Sequence, residues 1–354
     1  MSKSFVNKVL VGGALAAGAA VWAIAPRTFS DKRRNYVPAV PDVWYAHRGL
    51  HDAGSGLTAQ YANESGEYVA LARRMAMKAG YGSPSVAGAI APENSLAAFA
   101  AACEAGYGIE LDLQMTADGE IVVVHDGDLM RVAGDPRRVA DLTYDELTRI
   151  PLFPTDAPGA AVAAPLSGSL EKPPLVTTPD SAPDGYFQHV PLFADVLKVV
   201  AGRAPLIVEY KFDDNSKWGP RDVELMEKGD ALLQAYSGAY VIESFNPAAV
   251  NWYKENRPEV CRGQLSWWPQ GEEKPSDPGA LAKEYAAGAL IFDWISRPDF
   301  VAYDWHGGNS PQVRLARFMG AVPVSWTVRS RDEYAQCSDQ FDRHIFEAFV
   351  PDEQ

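Results

Sequence analysis

Two histidines in this chain end apolar runs of strand length. His47 ends the run Val43–His47, and His125 ends the run Ile121–His125. An imidazole has an ordinary pKa near neutrality, so it can both accept and donate a proton. One such histidine is more often a hydrogen-bonded residue at the rim of a fold. Two at equivalent strand ends predict a pair that acts as general acid and general base.

Three carboxylates occupy similar positions at the ends of predicted strands. Glu110 and Asp112 are separated by one residue, so the two-residue period of a strand places both on one face. Glu209 and Lys211 repeat this spacing on a later strand. Like charges on one apolar strand repel each other and are costly to bury, and a hard divalent cation such as Ca²⁺ or Mg²⁺ removes both costs. Glu110, Asp112 and Glu209 are therefore predicted metal ligands, although an ion-pair network or an exposed strand end would explain either pair taken alone.

The overall charge narrows the class of substrate. The chain has a formal net charge of -14 at pH 7, which argues against a nucleic-acid partner because such binders usually carry a basic face. An acidic chain that handles an anion must concentrate positive charge locally. Arg48 and Lys211, together with the metal ion, are predicted to neutralise phosphate oxygens. Cleavage of a phosphodiester also needs an activated nucleophile and a protonated leaving alkoxide, and His47 and His125 can divide those roles.

The elements that must position these residues alternate between strands and helices. Helices are predicted at Glu64–Lys78, Leu96–Ala105, Asp141–Ile150, Phe193–Val200, Asp222–Gln234 and Asn246–Asn256. Eight strands are predicted at Val43–His47, Gly108–Leu113, Ile121–His125, Pro205–Tyr210, Tyr240–Ser244, Gly263–Trp267, Ala289–Trp294 and Val322–Val328. Such an alternation predicts an α/β fold, a TIM (β/α)8 barrel. A doubly wound open sheet is the alternative, but no glycine-rich dinucleotide turn supports it.

Two long stretches interrupt this alternation. Leu50–Ala91 (residues 50–91) and Pro151–Tyr186 (residues 151–186) each follow an early predicted strand. Loops of this length are usually functional lids or disordered segments. Because the carboxyl ends of the strands form the catalytic rim of a barrel, both insertions are expected to shape access to the site.

Four tryptophans lie in or near the late strands. Trp326 is the candidate for an apolar wall of the site, and Trp267, Trp268 and Trp294 are further candidates. Packing of the barrel core and rim is the favoured alternative for these large side chains.

The N-terminal residues 1–34 differ in composition from the predicted barrel, residues 35–354. Val9–Pro26 carries no charge, and basic residues flank it on both sides. Its length is near the short end of a membrane span, for which about 17–25 residues are needed, so retention as a membrane anchor is favoured. The alternatives are a signal-like segment, because Ala23-Ile24-Ala25 resembles a cleavage site and its removal would imply secretion, and a soluble helix. The flanking charges leave the orientation open.

Five short motifs, in order, resemble those of the glycerophosphodiester phosphodiesterase family. They are His47-Arg48-Gly49, Pro92-Glu93-Asn94-Ser95, Glu110-Leu111-Asp112, His125-Asp126 and Glu209-Tyr210-Lys211. The resemblance extends from Val43 to the last predicted strand. It implies a barrel enzyme that hydrolyses glycerophosphodiesters to glycerol 3-phosphate and an alcohol. It also implies a divalent metal ion, Ca²⁺ or Mg²⁺, on Glu110, Asp112 and Glu209, with His47 and His125 as the acid/base pair.

The resemblance further implies that Glu93, Arg48 and Lys211 support substrate and metal. Ser95 stands where a threonine is more usual, and it retains the hydroxyl. The stretch 50–91 is longer than the usual link between the first two motifs. A lysophospholipid or a polyglycerophosphate is therefore an alternative substrate for the same site. A catalytically silent barrel that binds phosphate ligands or membrane partners is the alternative of another class.

Overall fold

Eight parallel strands close into a barrel. The structure is a computed structural model that describes residues 18–30, 38, 40–86, 88–153, 187–215, 217–269 and 277–352. Its strands are β1 (Trp44–Ala46), β2 (Gly108–Met115), β3 (Ile121–Val123), β4 (Asp128–Leu129), β5 (Asp135–Arg138), β6 (Leu206–Tyr210), β7 (Tyr240–Ser244), β8 (Arg262–Ser266), β9 (Phe300–Asp304), β10 (Val322–Val328) and β11 (Arg343–Phe346). Strand β1 pairs in parallel with both β2 and β11, so the ring formed by β1, β2 and β6 to β11 has no open edge. The predicted TIM (β/α)8 barrel is confirmed.

The helices follow the strands along the chain. They are α1 (Arg27–Ser30), α2 (Ala62–Lys78), α3 (Leu96–Ala105), α4 (Met130–Ala133), α5 (Tyr144–Leu147), α6 (Phe193–Val200), α7 (Pro220–Gln234), α8 (Pro247–Asn256), α9 (Pro278–Gly288), α10 (Asp293–Ser296), α11 (Pro311–Phe318) and α12 (Arg331–Cys337). Local signals explain the ends that the sequence predicted. Gly106 ends α3 in the left-handed conformation, and the Asn246 side chain accepts a hydrogen bond from the backbone N–H of Ala248 at the start of α8.

Two of the eight predicted barrel strands were wrong. The run 121–125 contains strand β3, but β3 pairs antiparallel with β2 and lies outside the closed ring. The run Ala289–Trp294 is a turn that leads into α10, because Leu290 takes a positive φ of 57° and breaks the extended backbone. The ring contains instead two strands that were not predicted, β9 and β11. Strand β11 has only four residues and begins with two polar ones, so its hydrophobic pattern is weak.

The barrel interior beneath the carboxyl ends of the strands is closely packed. Tyr45, Ile207 and Phe300 belong to one buried apolar cluster. Gly263 of β8 leaves room for the Phe300 ring, since a Cβ at this position would lie 2.1 Å from a ring carbon. The polar groups at the carboxyl ends of the strands therefore lie against a closely packed apolar layer.

The insertion 50–91 is an ordered part of the fold. Its helix α2 packs against α3, and Arg73 of α2 pairs with buried Asp52 at 2.7 Å. Ser55, in the same insertion, donates a hydrogen bond from Oγ to Oε2 of Glu347 at 2.9 Å. The insertion therefore contributes directly to the end of the barrel that holds Glu347. Of the second insertion, residues 154–186 lie outside the described residues.

The predicted anchor is only partly covered by the structure. Residues 1–17 lie outside the described residues, and residues 18–24 are helical. Among the described helices, none has both the length and the apolar character needed to cross a membrane. The Trp22 ring stacks on Trp294 with ring centroids 5.4 Å apart, and Arg27 pairs with buried Asp299 at 3.3 Å. The end of this segment thus packs against the barrel.

Candidate active site

A cavity of about 100 Å³ lies where the carboxyl ends of the strands meet. Seven of the nine predicted site residues line it: His47, Arg48, Glu110, His125, Glu209, Lys211 and Trp326. Residues that were not predicted complete the wall, namely Glu243, Phe245, Leu265, Thr327, Arg329 and Ile345. Groups that are far apart in the chain are thus brought together around one small space, as expected for a barrel active site.

His47 is held by a carboxylate behind its ring. Its Nδ1 lies 2.8 Å from Oε2 of Glu347, and Arg329 donates from Nε to Oε1 of the same carboxylate at 2.6 Å. Burial by itself raises the pKa of Glu347, but Arg329 and His47 outweigh burial and hold that pKa well below its usual range. An ionised carboxylate only accepts hydrogen bonds. Nδ1 of His47 therefore carries the proton, and Nε2 is left as the free ring nitrogen.

His125 repeats this arrangement with other residues. Its Nδ1 lies 2.6 Å from Oδ1 of Asp126, and Arg131 donates from Nε to Oδ2 of Asp126 at 2.6 Å. The two histidines therefore share one design, in which an arginine holds a carboxylate and the carboxylate holds the imidazole. A carboxylate that accepts a hydrogen bond from one ring nitrogen fixes the tautomer and the orientation of the imidazole.

Both imidazoles are neutral at neutral pH. Burial lowers the pKa of His125 to about 4, and the nearby charges of Arg48 and Lys211 act in the same direction. Burial also lowers the pKa of His47, against the opposing effect of Glu347. A neutral imidazole with a protonated Nδ1 is ready to accept a proton at Nε2.

Three buried carboxylates form the acidic part of the cavity. One oxygen each from Glu110, Glu209 and Glu243 lie within 4.8 Å of one another. Burial, followed by the charges of neighbouring carboxylates, raises the pKa of Glu110 well above its usual range. Burial likewise raises the pKa of Glu209 to about 7, although Lys211 opposes the shift, and it raises that of Glu243 well above the usual range. Such mutual repulsion among oxygen donors is what a hard divalent cation would relieve.

Asp112 is engaged differently from these three. Its Oδ2 accepts a hydrogen bond from Nδ2 of Asn94 at 2.8 Å, and its Oδ1 lies 3.3 Å from Nζ of Lys211. Burial raises its pKa, but Lys211, His125 and Arg48 outweigh burial and keep the pKa below its ordinary value. Asp112 therefore remains ionised, next to the cluster but outside the cavity wall described above.

Glu93, predicted as a substrate contact, faces two arginines. Its Oε1 accepts hydrogen bonds from Arg48 at 2.8 Å and from Arg131 at 2.6 Å. Arg48 also donates its backbone N–H to Oε2 of Glu110 at 3.0 Å. Glu93 is not among the residues that line the cavity, and its carboxylate lies between the two arginines. Its predicted contact with substrate stays a prediction.

Several site residues were missed by sequence reasoning. Glu243 ends β7 as Glu209 ends β6, and the two are register partners. The strand-end argument used for Glu209 would therefore have found Glu243. Glu347 follows β11, a strand that was not predicted. His51 was not predicted either, and its Nε2 lies 3.5 Å from Oε2 of Glu347.

The chain resembles proteins of one family over most of its length. The model of the glycerophosphoryl diester phosphodiesterase family matches residues 86–342. The chain is 45% identical over 60 residues to a glycerophosphodiester phosphodiesterase of Caldanaerobacter subterraneus subsp. tengcongensis, covering 17% of this chain and 25% of that protein. It is 48% identical over 59 residues to one of Bacillus altitudinis, covering 16% and 24%. The chain thus matches about a quarter of the length of these curated relatives.

A solved structure shares the fold. This is an Oleispira antarctica phosphodiesterase in complex with the product sn-glycerol-3-phosphate, with a TM-score of 0.54 and 16% identity. The match covers 87% of this chain and 93% of that one. At this level of identity the likeness is one of architecture.

Proposed function

The chain belongs to the glycerophosphoryl diester phosphodiesterase family, and on this basis we propose that it hydrolyses glycerophosphodiesters to glycerol 3-phosphate and an alcohol. The observation that carries the proposal is the pairing of each histidine with a carboxylate around a single cavity. The same cavity holds the carboxylate cluster and the cationic groups of Arg48 and Lys211. These are the components that hydrolysis of a phosphodiester needs.

We propose that Glu110, Glu209 and Glu243 hold a divalent cation, Ca²⁺ or Mg²⁺, with Asp112 beside them. All of these donors are oxygens, as hard cations prefer. Oε2 of Glu243 is buried and has no hydrogen-bond partner among the described residues, which suits a ligand atom. When bound, the cation would polarise the phosphoryl group and stabilise the charge that develops on its oxygens.

His47 and His125 divide the proton transfers in this proposal. One accepts a proton at Nε2 from the attacking water, while the other protonates the leaving alkoxide. The second role needs a protonated ring, and the negative charge of a bound phosphodiester raises the pKa of an adjacent imidazole. Glu347 and Asp126 keep both rings oriented while the proton moves.

Arg48 and Lys211 bind the anionic part of the substrate. Lys211 lies 2.7 Å from Oε2 of Glu209, and burial lowers its pKa less than Glu209 and Asp112 raise it. The ammonium group therefore stays charged inside the cavity. Trp326 packs edge-on against Phe245, with ring centroids 5.5 Å apart, and forms the apolar side of the cavity. We assign to it the contact with the glycerol carbons.

An assay with glycerophosphocholine tests this function. The purified protein should release choline and glycerol 3-phosphate, lose activity in a chelator and regain it with Ca²⁺ or Mg²⁺. The same protein with both His47 and His125 replaced by alanine is the negative control. Full activity of the metal-free protein would show that the reaction does not need the cation. Absence of activity in the metal-loaded protein would contradict the proposed function.

We also propose that residues 1–34 attach the barrel, residues 35–354, to a membrane. The uncharged run Val9–Pro26 supports this, as does Trp22, which is 56% exposed where the segment meets the barrel. Fractionation of cells should place the protein with membranes, and N-terminal sequencing should show the segment retained. A mature protein that starts just after Ala25 would show secretion instead.

A further inference from the structure

A groove much larger than the catalytic cavity lies along α9. Its volume is about 810 Å³, within the usual range for whole ligand sites and well beyond what a phosphate and a glycerol need. Leu265, Trp267, Phe292 and Ile295 give it an apolar lining. The exposed side chain of Lys283 marks its open side.

The groove adjoins the catalytic cavity. Phe245 and Leu265 line both spaces, so the two adjoin at these side chains. Phe245 follows β7 directly after Glu243 and Ser244, and Leu265 lies in β8. A substituent on a diester in the cavity would have only these two side chains between it and the groove.

The protein surface beside the groove is also apolar. Trp268 and Ile291 are 40% and 45% exposed, and each is the chain neighbour of a residue that lines the groove. Exposed aromatic and aliphatic side chains in one area are typical of surfaces that meet lipid or another apolar partner. A ligand with an apolar chain could thus reach the groove across a surface of matching character.

We propose that this groove binds the hydrocarbon chain of a glycerophosphodiester that carries one long acyl chain, such as a lysophospholipid. This inference rests on the proposed function and narrows its substrate class. With lysophosphatidylcholine, the oxygen of water forms a new bond to phosphorus and the bond between phosphorus and the choline oxygen breaks. That oxygen takes up a proton, and the products are choline and the acylated glycerol phosphate.

A series of substrates tests the proposal. We would measure kcat/KM for glycerophosphocholine and for lysophosphatidylcholines with 6, 8 and 10 acyl carbons, below micelle formation. Each methylene that becomes buried should raise kcat/KM by about fourfold. A glycerophosphodiester of 1-octanol carries the chain on the leaving alcohol instead, and comparison with the eight-carbon acyl substrate shows which side of the diester faces the groove. Values of kcat/KM that stay flat or fall as the acyl chain lengthens overturn the proposal, and a gain from the octyl group alone would assign the groove to the leaving alcohol instead.

A matched pair of variants locates the effect. Ala280 and Ala282 lie on the same helix, but only Ala280 lines the groove. Ala280→Phe should lower the ratio of kcat/KM for the ten-carbon substrate over glycerophosphocholine by at least about tenfold, since it fills space that the chain would occupy. Ala282→Phe should leave that ratio unchanged. An unchanged ratio in a folded Ala280→Phe, checked by its Tm and repeated with Ala287→Phe, contradicts the assignment.

The outcomes separate this inference from the proposed function. If glycerophosphocholine is hydrolysed but an acyl chain does not raise kcat/KM, the proposed function holds and the assignment of the groove is wrong. Inertness toward every diester removes the function itself. A gain with chain length that Ala280→Phe abolishes supports both.

Discussion

Nδ1 of His47 lies 2.8 Å from Oε2 of Glu347, although 300 residues separate the two in the chain. The closed barrel makes this contact, because β1 pairs with β11 and Glu347 follows β11. A carboxylate in this position fixes the ring tautomer and frees Nε2 for proton transfer. His125 and Asp126 form the same relationship at 2.6 Å. The two pairs are the basis of the catalytic predictions below.

Replacing Glu347 with glutamine tests its role as a positioning residue. Glu347→Gln should lower kcat by about 100-fold, since the ring loses its fixed orientation. The negative charge of Glu347 raises the pKa of His47, so its removal lowers that pKa further. The limb of the kcat–pH profile that reports His47 should therefore move to lower pH.

Glu333→Gln is the matched control for this experiment. Glu333 is also a buried, hydrogen-bonded glutamate near Arg329, but it accepts from the Arg329 backbone N–H at 2.7 Å and does not contact His47. It should change kcat by less than about threefold. An equal loss in both variants with an unmoved pH profile would show a merely structural role for Glu347.

The two histidines should differ when the leaving group needs no proton. His47→Ala and His125→Ala should each lower kcat for glycerophosphocholine by roughly 10²–10⁴-fold. With a p-nitrophenyl phosphodiester of glycerol, the variant that lacks the general acid should recover most of its activity, because p-nitrophenolate leaves unprotonated. The variant that lacks the base should stay slow. Equal behaviour of the two variants on both substrates contradicts the division of roles.

Glu243→Gln should weaken binding of the cation. Losing one of three clustered carboxylates is expected to reduce Ca²⁺ or Mg²⁺ affinity by roughly 10–100-fold. Titration calorimetry gives the affinity without any turnover, and Glu333→Gln serves again as the control. An affinity equal to that of the natural protein would place Glu243 outside the site.

In the cation-free protein, the stability that the three buried glutamates contribute should fall as the pH rises. Folding raises the pKa of Glu209 from 4.5 to about 7, so the folded state binds more protons than the unfolded chain between these values. The free energy of unfolding therefore falls from about pH 4.5 to pH 7 through this group, and Glu110 and Glu243 act in the same direction. The lowered pKa values of His47 and His125 act in the opposite direction over part of this range, so Glu209→Gln isolates the effect of the glutamate. In chelator, the change in Tm from pH 5 to pH 8 should be more negative in the natural protein than in Glu209→Gln, and added cation should raise Tm more at pH 8. A rise in Tm on adding the cation that is larger at pH 5 than at pH 8 would contradict this prediction.

Ser95 is expected to stabilise the fold without a part in the reaction. It is fully buried and its Oγ accepts a hydrogen bond from the backbone N–H of Ala98 at 3.1 Å, which caps α3. Ser95→Ala should lower the free energy of unfolding by about 1 kcal/mol, measured by urea denaturation. Ser95→Thr, which keeps the hydroxyl, should lose less. A loss of kcat in Ser95→Ala at unchanged stability would assign Ser95 to the site.

Sequence reasoning found the fold class because strand and helix periods alternate clearly over most of the chain. It placed His47 and Glu209 at one cavity because each ends an apolar run and a barrel brings such ends together. His125 lines the same cavity, but it follows β3, which pairs with β2 outside the closed ring. The strand predicted at 289–294 was wrong, because an apolar run of this length is also compatible with a helix or a turn. The positive φ of Leu290 depends on the local tertiary structure.

The residues that hold the histidines were harder to predict. Asp126 is next to its histidine in sequence, whereas Glu347 meets His47 only after the barrel has closed. A short strand with polar residues, β11, carries no strong signal in the sequence. Long-range partners of this kind follow from topology, which periodicity does not specify.

Hydrolysis of glycerophosphocholine in ¹⁸O-labelled water is the most direct test of the central claim. Choline and glycerol 3-phosphate should form in equal amounts, and the phosphate group of the glycerol 3-phosphate should carry one ¹⁸O atom. This result requires attack of water on phosphorus, as the two histidine–carboxylate pairs imply. Intact substrate in the presence of the cation, label in the choline, or an unlabelled cyclic glycerophosphate as the end product would contradict it.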